Sequence, residues 1–299
     1  MNDNAITVKK DFEQIKDLVL GGFSSKQSII AYEKGLDSFL NWYQDQGKQA
    51  LNKSVVMEYK SMLESKGLSA ATINLRLSAV RRLVVEAIDN GILDPFIGQG
   101  ILRVKGVKRQ GVKTGNWFDK QTAQAVLREP DITNLKGIRD RAILAVGLGA
   151  GLRRSEIANL DIGDIQLRSS RWVILDIIGK GGRVRSIPIG AWVKESIDKW
   201  VQAAGIAEGL IFRSIRKGGH SIGKSMSSQA VQDVIVKYGK VSAHDLRRTF
   251  AKLAHLGGCP IEQIQLSLGH ASIQTTERYL GVKQSLTSAP GDYSGLSLQ

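Results

Sequence analysis

The sequence predicts a mainly α-helical protein built in two parts, the second of which carries a small antiparallel β hairpin or sheet. Three observations lead there. Apolar residues recur at helical spacing through the first hundred residues, and a run of glycines and cations without an acid interrupts them between Gly98 and Gly115. Beyond that break, helical stretches surround one pair of β-branched runs joined by turn residues. A chain of 299 residues with 42% hydrophobic side chains can bury one large core or two ordinary ones, and it is too apolar for a mainly disordered protein.

The elements follow in order. After Ser24 and Ser25, Tyr32, Leu36, Phe39 and Tyr43 recur at steps of four, three and four, which is one face of a helix. A second stretch carries Val55, Tyr59 and Met62 and stops at Gly67. A third opens at Ser69 and sets Ile73, Leu77, Val80, Leu83 and Ala87 on one side, leaving Arg76, Arg81 and Arg82 for the other. Arg103, Lys105, Lys108, Arg109 and Lys113 then read as an extended basic linker able to track a phosphate backbone.

Helical patterning resumes at Asp119, and Gly137 to Gly147 reads as a buried helix that ends at Gly149-Ala150-Gly151. Trp172 to Ile178 and Val184 to Ile189 flank Gly179-Lys180-Gly181-Gly182, a hairpin with a lysine at its tip. Helices follow around 192–203, 227–238, 244–255, 261–268 and 275–280, and the residues after Ser285 are rich in serine and glycine. The expected boundaries are a helical part over 1–102, a linker over 103–115, a mixed α/β part over 116–284 and a tail over 285–299.

Charge narrows the partner. Lys and Arg total 42 against 28 acids, and the excess of +14 favours a polyanion, because each cation that neutralises a phosphate releases condensed counterions. DNA or RNA is the leading expectation. No apolar run reaches the roughly 20 residues that span a bilayer, and no basic amphipathic helix marks a membrane surface, so a cytoplasmic protein is expected. The single cysteine, Cys259, excludes an internal disulfide framework, and the four histidines show no metal-ligand spacing.

Motifs in the second part carry the chemistry. Gly151-Leu152-Arg153-Arg154-Ser155-Glu156 follows the apolar helix, and His244-Asp245-Leu246-Arg247 puts an imidazole and a guanidinium on one helical face. Leu268-Gly269-His270 precedes Tyr279 by nine residues. In this order, with the hairpin lysine between them, these motifs resemble the tyrosine recombinase (phage integrase) family over the whole chain. The resemblance implies that Arg153, Lys180, His244, Arg247 and His270 form the active site, that Tyr279 is the nucleophile, and that Glu156 supports Arg153. It also implies two domains that clamp duplex DNA, four subunits on two sites, and strand exchange through a Holliday junction. The short chain is similar to the Xer and simple-integrase subgroup, in which a second recombinase or an accessory protein is a possible partner.

The residue types suit that reaction. Attack on a phosphodiester builds charge on the non-bridging oxygens, which two guanidinium groups and an imidazole can stabilise without metal or cofactor. A phenol with an ordinary pKa near ~10 needs a base, for which His244 is the candidate, and the resemblance makes Lys180 the donor to the departing 5′ oxygen. Gly218 to Ser225 formally satisfies G-x-x-x-x-G-K-[ST], the loop of nucleotidases, yet it neither leaves a strand directly nor sits among parallel strands. A type IB topoisomerase, which uses a similar tyrosine, and a non-catalytic DNA-binding regulator are the remaining alternatives.

Overall fold

A computed structural model describes residues 14–47, 50–108, 116–179, 182–216 and 223–281. Arg109, Lys113, Lys180, most of the Gly218 to Ser225 motif and the tail from Ser285 therefore lie outside the described residues. The chain divides into two compact units, Met1–Lys113 and Thr114–Gln299.

In the first unit, α1 (residues 14–21) precedes α2 (Lys26–Asp45), α3 (Lys53–Ser65), α4 (Ala70–Asp89) and α5 (Pro95–Leu102). Each of the last three starts where a side chain accepts orphan backbone N–H groups: Asn52 from Val55, Ser69 from Thr72, and Asp94 from Phe96 and Ile97. The predicted faces are the buried ones. Leu36, Phe39 and Tyr43 of α2 share a core with Tyr59 of α3 and with Ile73, Leu77, Val80, Leu83 and Ala87 of α4.

All three α4 arginines already have protein partners, Arg76 through the Tyr59 hydroxyl. Arg81 donates to the Val104 carbonyl at 2.6 Å, and Arg82 pairs with Glu86 at 2.8 Å. The same contacts change the reading of the basic stretch. Val104 is buried in this core, and Asn74 both donates to the Val107 carbonyl and accepts from its N–H, at 3.0 and 2.8 Å. Residues 104–107 are thus packed onto α4, while the side chains of Arg103, Lys105 and Lys108 remain exposed.

The second unit is built on α7. It runs α6 (Lys120–Arg128), α7 (Leu135–Gly149), α8 (Arg154–Ala158), β1 (Ile165–Arg168), β2 (Arg171–Ile178), β3 (Val184–Pro188), α9 (Ala191–Ala203), α10 (Ser228–Gly239), α11 (Ala243–Leu256), α12 (Ile261–Leu268) and α13 (Ile273–Leu280). Ala142 to Val146 are buried without a break, because α6, α9, α10 and α11 all pack against α7. From α9, Trp200 is fully buried and donates its indole N–H to the Ile211 carbonyl at 2.8 Å.

The sheet is antiparallel in the order β1-β2-β3, with Ile174 opposite both Ile165 and Ile187. Lys224 lies outside any helix or strand and the described strands are all antiparallel, so the parallel strand that feeds a nucleotidase loop is absent among the described residues. A smaller cluster of Ala251, Ile264, Leu268 and Leu280 joins α11, α12 and α13, with Tyr279 and Cys259 packed on it.

Gly151 turns the chain between α7 and α8. Its φ of +61° is left-handed, and a Cβ there would lie 2.4 Å from the Phe250 ring. Gly151→Ala is expected to lower the unfolding free energy by at least about 1–2 kcal/mol from the backbone alone, read as a lower midpoint in urea with an unchanged slope.

Candidate active site

The site begins where α8 begins. Arg153 is the N-cap residue, and three positions on the Glu156 carboxylate turns back to it. Glu156 Oε2 accepts from the Arg153 backbone N–H at 2.8 Å, and Oε1 accepts from Arg153 Nη1 at 2.7 Å. A second guanidinium, from Arg185 on β3, reaches the same carboxylate through Nη1 at 3.1 Å and Nη2 at 2.7 Å. Burial works to raise the Glu156 pKa, but the hydrogen bonds from Arg185 and Arg153 prevail and hold it below the ordinary value.

Arg185 is the residue that the motifs did not single out. Its signal was the strand period: it stands two positions before buried Ile187, so alternation turns its charge toward the interior. A charge there needs a partner. Its Nε donates to the Ser267 carbonyl at 2.7 Å, at the end of α12.

Arg247 stands on α11 and is almost wholly buried. It donates through Nη1 to the Gly151 carbonyl at 2.6 Å and through Nη2 to the Leu268 carbonyl. Burial, followed by the charge of Arg153, pulls its pKa down to about 10, which leaves it cationic at neutral pH.

Gly269 ends α12 in the left-handed conformation, φ +63°, where a Cβ would meet the Arg185 side chain at 2.9 Å. That turn delivers His270, whose Nδ1 lies 3.0 Å from Thr276 Oγ1. Burial and then the charges of Arg247 and Arg153 push the His270 pKa down to about 4, so the ring is neutral.

Tyr279 on α13 meets the imidazoles of His244 and His270 edge-on, with ring centroids 5.3 and 5.4 Å away. The Arg248 guanidinium lies 5.0 Å from its ring centre. Its hydroxyl donates to the backbone carbonyl of His244 at 3.1 Å. Burial raises the phenol pKa to about 12 against the opposing charges of Arg247 and Arg248. The His244 ring is open to solvent on one side, and desolvation with the charges of Arg248 and Arg247 lowers its pKa.

The fold therefore brings Arg153, Glu156, His244, Arg247, His270 and Tyr279 together, adds Arg185 and Arg248, and leaves Arg76, Arg81, Arg82, Arg103, Lys105 and Lys108 in the first unit. Lys180 itself is not described. Its neighbour Gly179, at the end of β2, is so placed that a Cβ would stand 3.2 Å from Arg185 Nη1 and 3.3 Å from Arg153 Nη1, so the chain enters the hairpin tip beside these cations. Among the described residues no three His, Cys, Asp or Glu converge as metal ligands, and no helix is long and apolar enough to cross a membrane.

Comparison with known proteins matches residues 116–285 to the phage integrase family and residues 15–91 to the phage integrase N-terminal SAM-like domain. Tyrosine recombinase XerC of Escherichia coli O139:H28 (strain E24377A / ETEC) is 29% identical over 266 residues, 84% of each chain. Among solved structures, the XerH site-specific recombinase in a post-cleavage complex with palindromic difH substrate superposes with a TM-score of 0.69 at 22% identity. The match covers 86% of this chain and 77% of that one. A lambda integrase (75–356) dimer bound to a COC' core site gives a TM-score of 0.70 at 16% identity, covering 90% and 93%. These structural likenesses bear on the fold.

The neutral His270 has a measurable consequence. Its pKa is about 4 in the folded protein against 6.5 as the ordinary value, so between those values the unfolded chain binds more protons. Stability contributed by the neutral ring is complete above 6.5 and is lost as the pH falls toward 4. His270→Gln should flatten the pH dependence of unfolding in that window, and the NMR titration missing from the variant should have a midpoint near 4; a midpoint at or above 6.5 contradicts the geometry.

Proposed function

The chain belongs to the phage integrase family, and from that premise we propose that it is a tyrosine site-specific recombinase that cleaves and rejoins duplex DNA. The observation that carries this reading is the convergence of one phenol and two imidazoles with the buried Arg247 and the half-exposed Arg153 that Glu156 holds.

In the proposed reaction the Tyr279 oxygen attacks the scissile phosphorus and the bond from phosphorus to the 5′ oxygen breaks. A 3′-phosphotyrosyl link forms and a 5′ hydroxyl is released. Arg153 and Arg247 offer N–H donors to the non-bridging oxygens as their charge grows, and His270 adds a neutral donor. The phenol proton passes to His244, whose lowered pKa keeps its ring free to accept it. Lys180 supplies the proton for the leaving oxygen. Because the phosphotyrosyl ester conserves the bond, attack by a 5′ hydroxyl from the partner duplex reseals the strand without ATP.

We assign the grip on duplex DNA to residues 1–102 together with the basic stretch 103–115, with Arg76, Arg81, Arg82, Arg103, Lys105, Lys108, Arg109 and Lys113 as phosphate contacts, and catalysis to residues 116–284. Arg81 and Arg82 would have to share themselves with Val104 and Glu86, so the exposed cations of the basic stretch carry more of that contact. The working assembly is a tetramer on two sites that passes through a Holliday junction. Residues 285–299 lie near the nucleophile in sequence and are assigned to subunit contact. An enzyme acting on intracellular DNA works in the cytoplasm.

Sequencing the DNA attached to protein captured in cells identifies the target. A nicked duplex carrying that site should then trap covalent protein–DNA adduct. Tyr279→Phe should give none, and Arg247→Met should slow adduct formation by about 100-fold or more. Supercoiled plasmid relaxed equally well without the site would instead indicate a topoisomerase.

A further inference from the structure

We propose that Arg185 is a positioning residue for strand cleavage: its guanidinium clamps the Glu156 carboxylate while its Nε holds the Ser267 carbonyl, fixing Arg153 and the His270 turn relative to each other. The inference deepens the recombinase reading and rests on it.

The three segments that Arg185 joins are distant in sequence. Glu156 belongs to α8, Arg185 to β3 beside the hairpin, and Ser267 to α12 just before His270. One planar fork serves all of them. The two terminal nitrogens take both carboxylate oxygens, and the remaining Nε–H points the other way to the carbonyl, a division of donors that an ammonium cannot reproduce. Gly269 is left-handed and too close to Arg185 Cδ to carry a Cβ, and Gly179 approaches Nη1 from the hairpin side. Backbone thus closes on the guanidinium from two directions.

Exposure separates the two arginines on the shared carboxylate. The Arg153 side chain keeps 32% of its surface open, while Arg185 keeps 7% and Glu156 keeps 5%. Arg153 retains a face for a phosphate; Arg185 is occupied by the protein. Without Arg185, the buried carboxylate would have Arg153 as its remaining side-chain cation. Glu156 would then draw Arg153 inward, away from substrate, or take up a proton and release it. Either result disturbs the donor that meets the scissile phosphate without touching the surface that binds the duplex.

The test measures adduct formation in single-turnover reactions on the nicked duplex, beside the affinity for the same duplex. Arg185→Met should slow adduct formation about 100-fold while changing DNA affinity less than about twofold, and Arg185→Lys should fall between it and the parent. Adding Glu156→Gln to Arg185→Met should slow the reaction by less than about threefold more, because both act through one carboxylate. A rate within about threefold of the parent, a defect confined to DNA affinity, or independent multiplication of the two effects overturns the assignment. If Arg185→Met does not fold, Arg185→Lys carries the test: slower adduct formation at unchanged affinity supports the role, and an unchanged rate overturns it. A parent protein that gives no Tyr279-dependent adduct condemns the recombinase reading itself, not Arg185.

Discussion

A buried carboxylate shared by two guanidinium groups is the constraint on which the rest of the site depends. Arg153, Arg185 and Arg247 are three positive charges gathered near one Glu156, which leaves positive charge in excess in a partly desolvated space. Like charges at this range repel strongly when little water screens them. The arrangement persists because each guanidinium has a fixed oxygen to hold. Arg247 has the Gly151 and Leu268 carbonyls, Arg185 has Ser267, and Glu156 takes the rest. The carbonyls lie just past α7 and at the end of α12, so the ends of these two helices hold the cation cluster in place.

Burial, reinforced by the surplus positive charge, then sets the protonation of its neighbours. Desolvation followed by the charges of Arg247 and Arg153 lowers the His270 pKa, and desolvation followed by those of Arg248 and Arg247 lowers that of His244. A neutral His244 can receive a proton, whereas an imidazolium beside Tyr279 could not. Tyr279 experiences opposing influences. The cations favour its phenolate, but burial prevails, and the hydroxyl donates to a carbonyl that only the protonated form can use. In the proposed reaction the phenol must therefore first leave the His244 carbonyl, and an incoming anion would offset part of the charge that the protein has concentrated.

What was legible in the sequence was legible for local reasons. The faces of α2 and α4 follow from spacing alone, since burial every three or four residues is a property of one helix. The β2–β3 hairpin was readable because glycines mark its turn. β1 was not. It is four residues long with mostly exposed side chains, and its turn to β2 uses Ser169 and Ser170 in positive φ, where asparagine and glycine would have given the signal. The basic stretch read as a free linker because nothing in its composition records that Val104 enters the first core or that Asn74 brackets Val107. The residues that converge beside Tyr279 were singled out through ordered motifs, and Arg185 escaped because its partners lie 29 and 82 positions away.

The cations and Tyr279 are held by different sets of contacts that meet at the end of α12. Leu246, next to Arg247, belongs to the large core around α7, and the ends of α7 and α12 lock the guanidinium itself. Tyr279 rides on α13, a helix of eight residues, too short to hold its shape in water alone. What secures it is the small cluster of Ala251, Ile264, Leu268 and Leu280. Elements with few buried apolar contacts open at lower free energy than the core, and the small cluster also reaches the cations, because it contains Leu268, whose carbonyl accepts from Arg247. α11 spans both regions, with Leu246 in the large core and Ala251 in the small one. In the proposed reaction the phenol leaves one oxygen and reaches a phosphorus, which suits a tyrosine carried on a short helix beside cations that backbone carbonyls hold in place for the charge that develops.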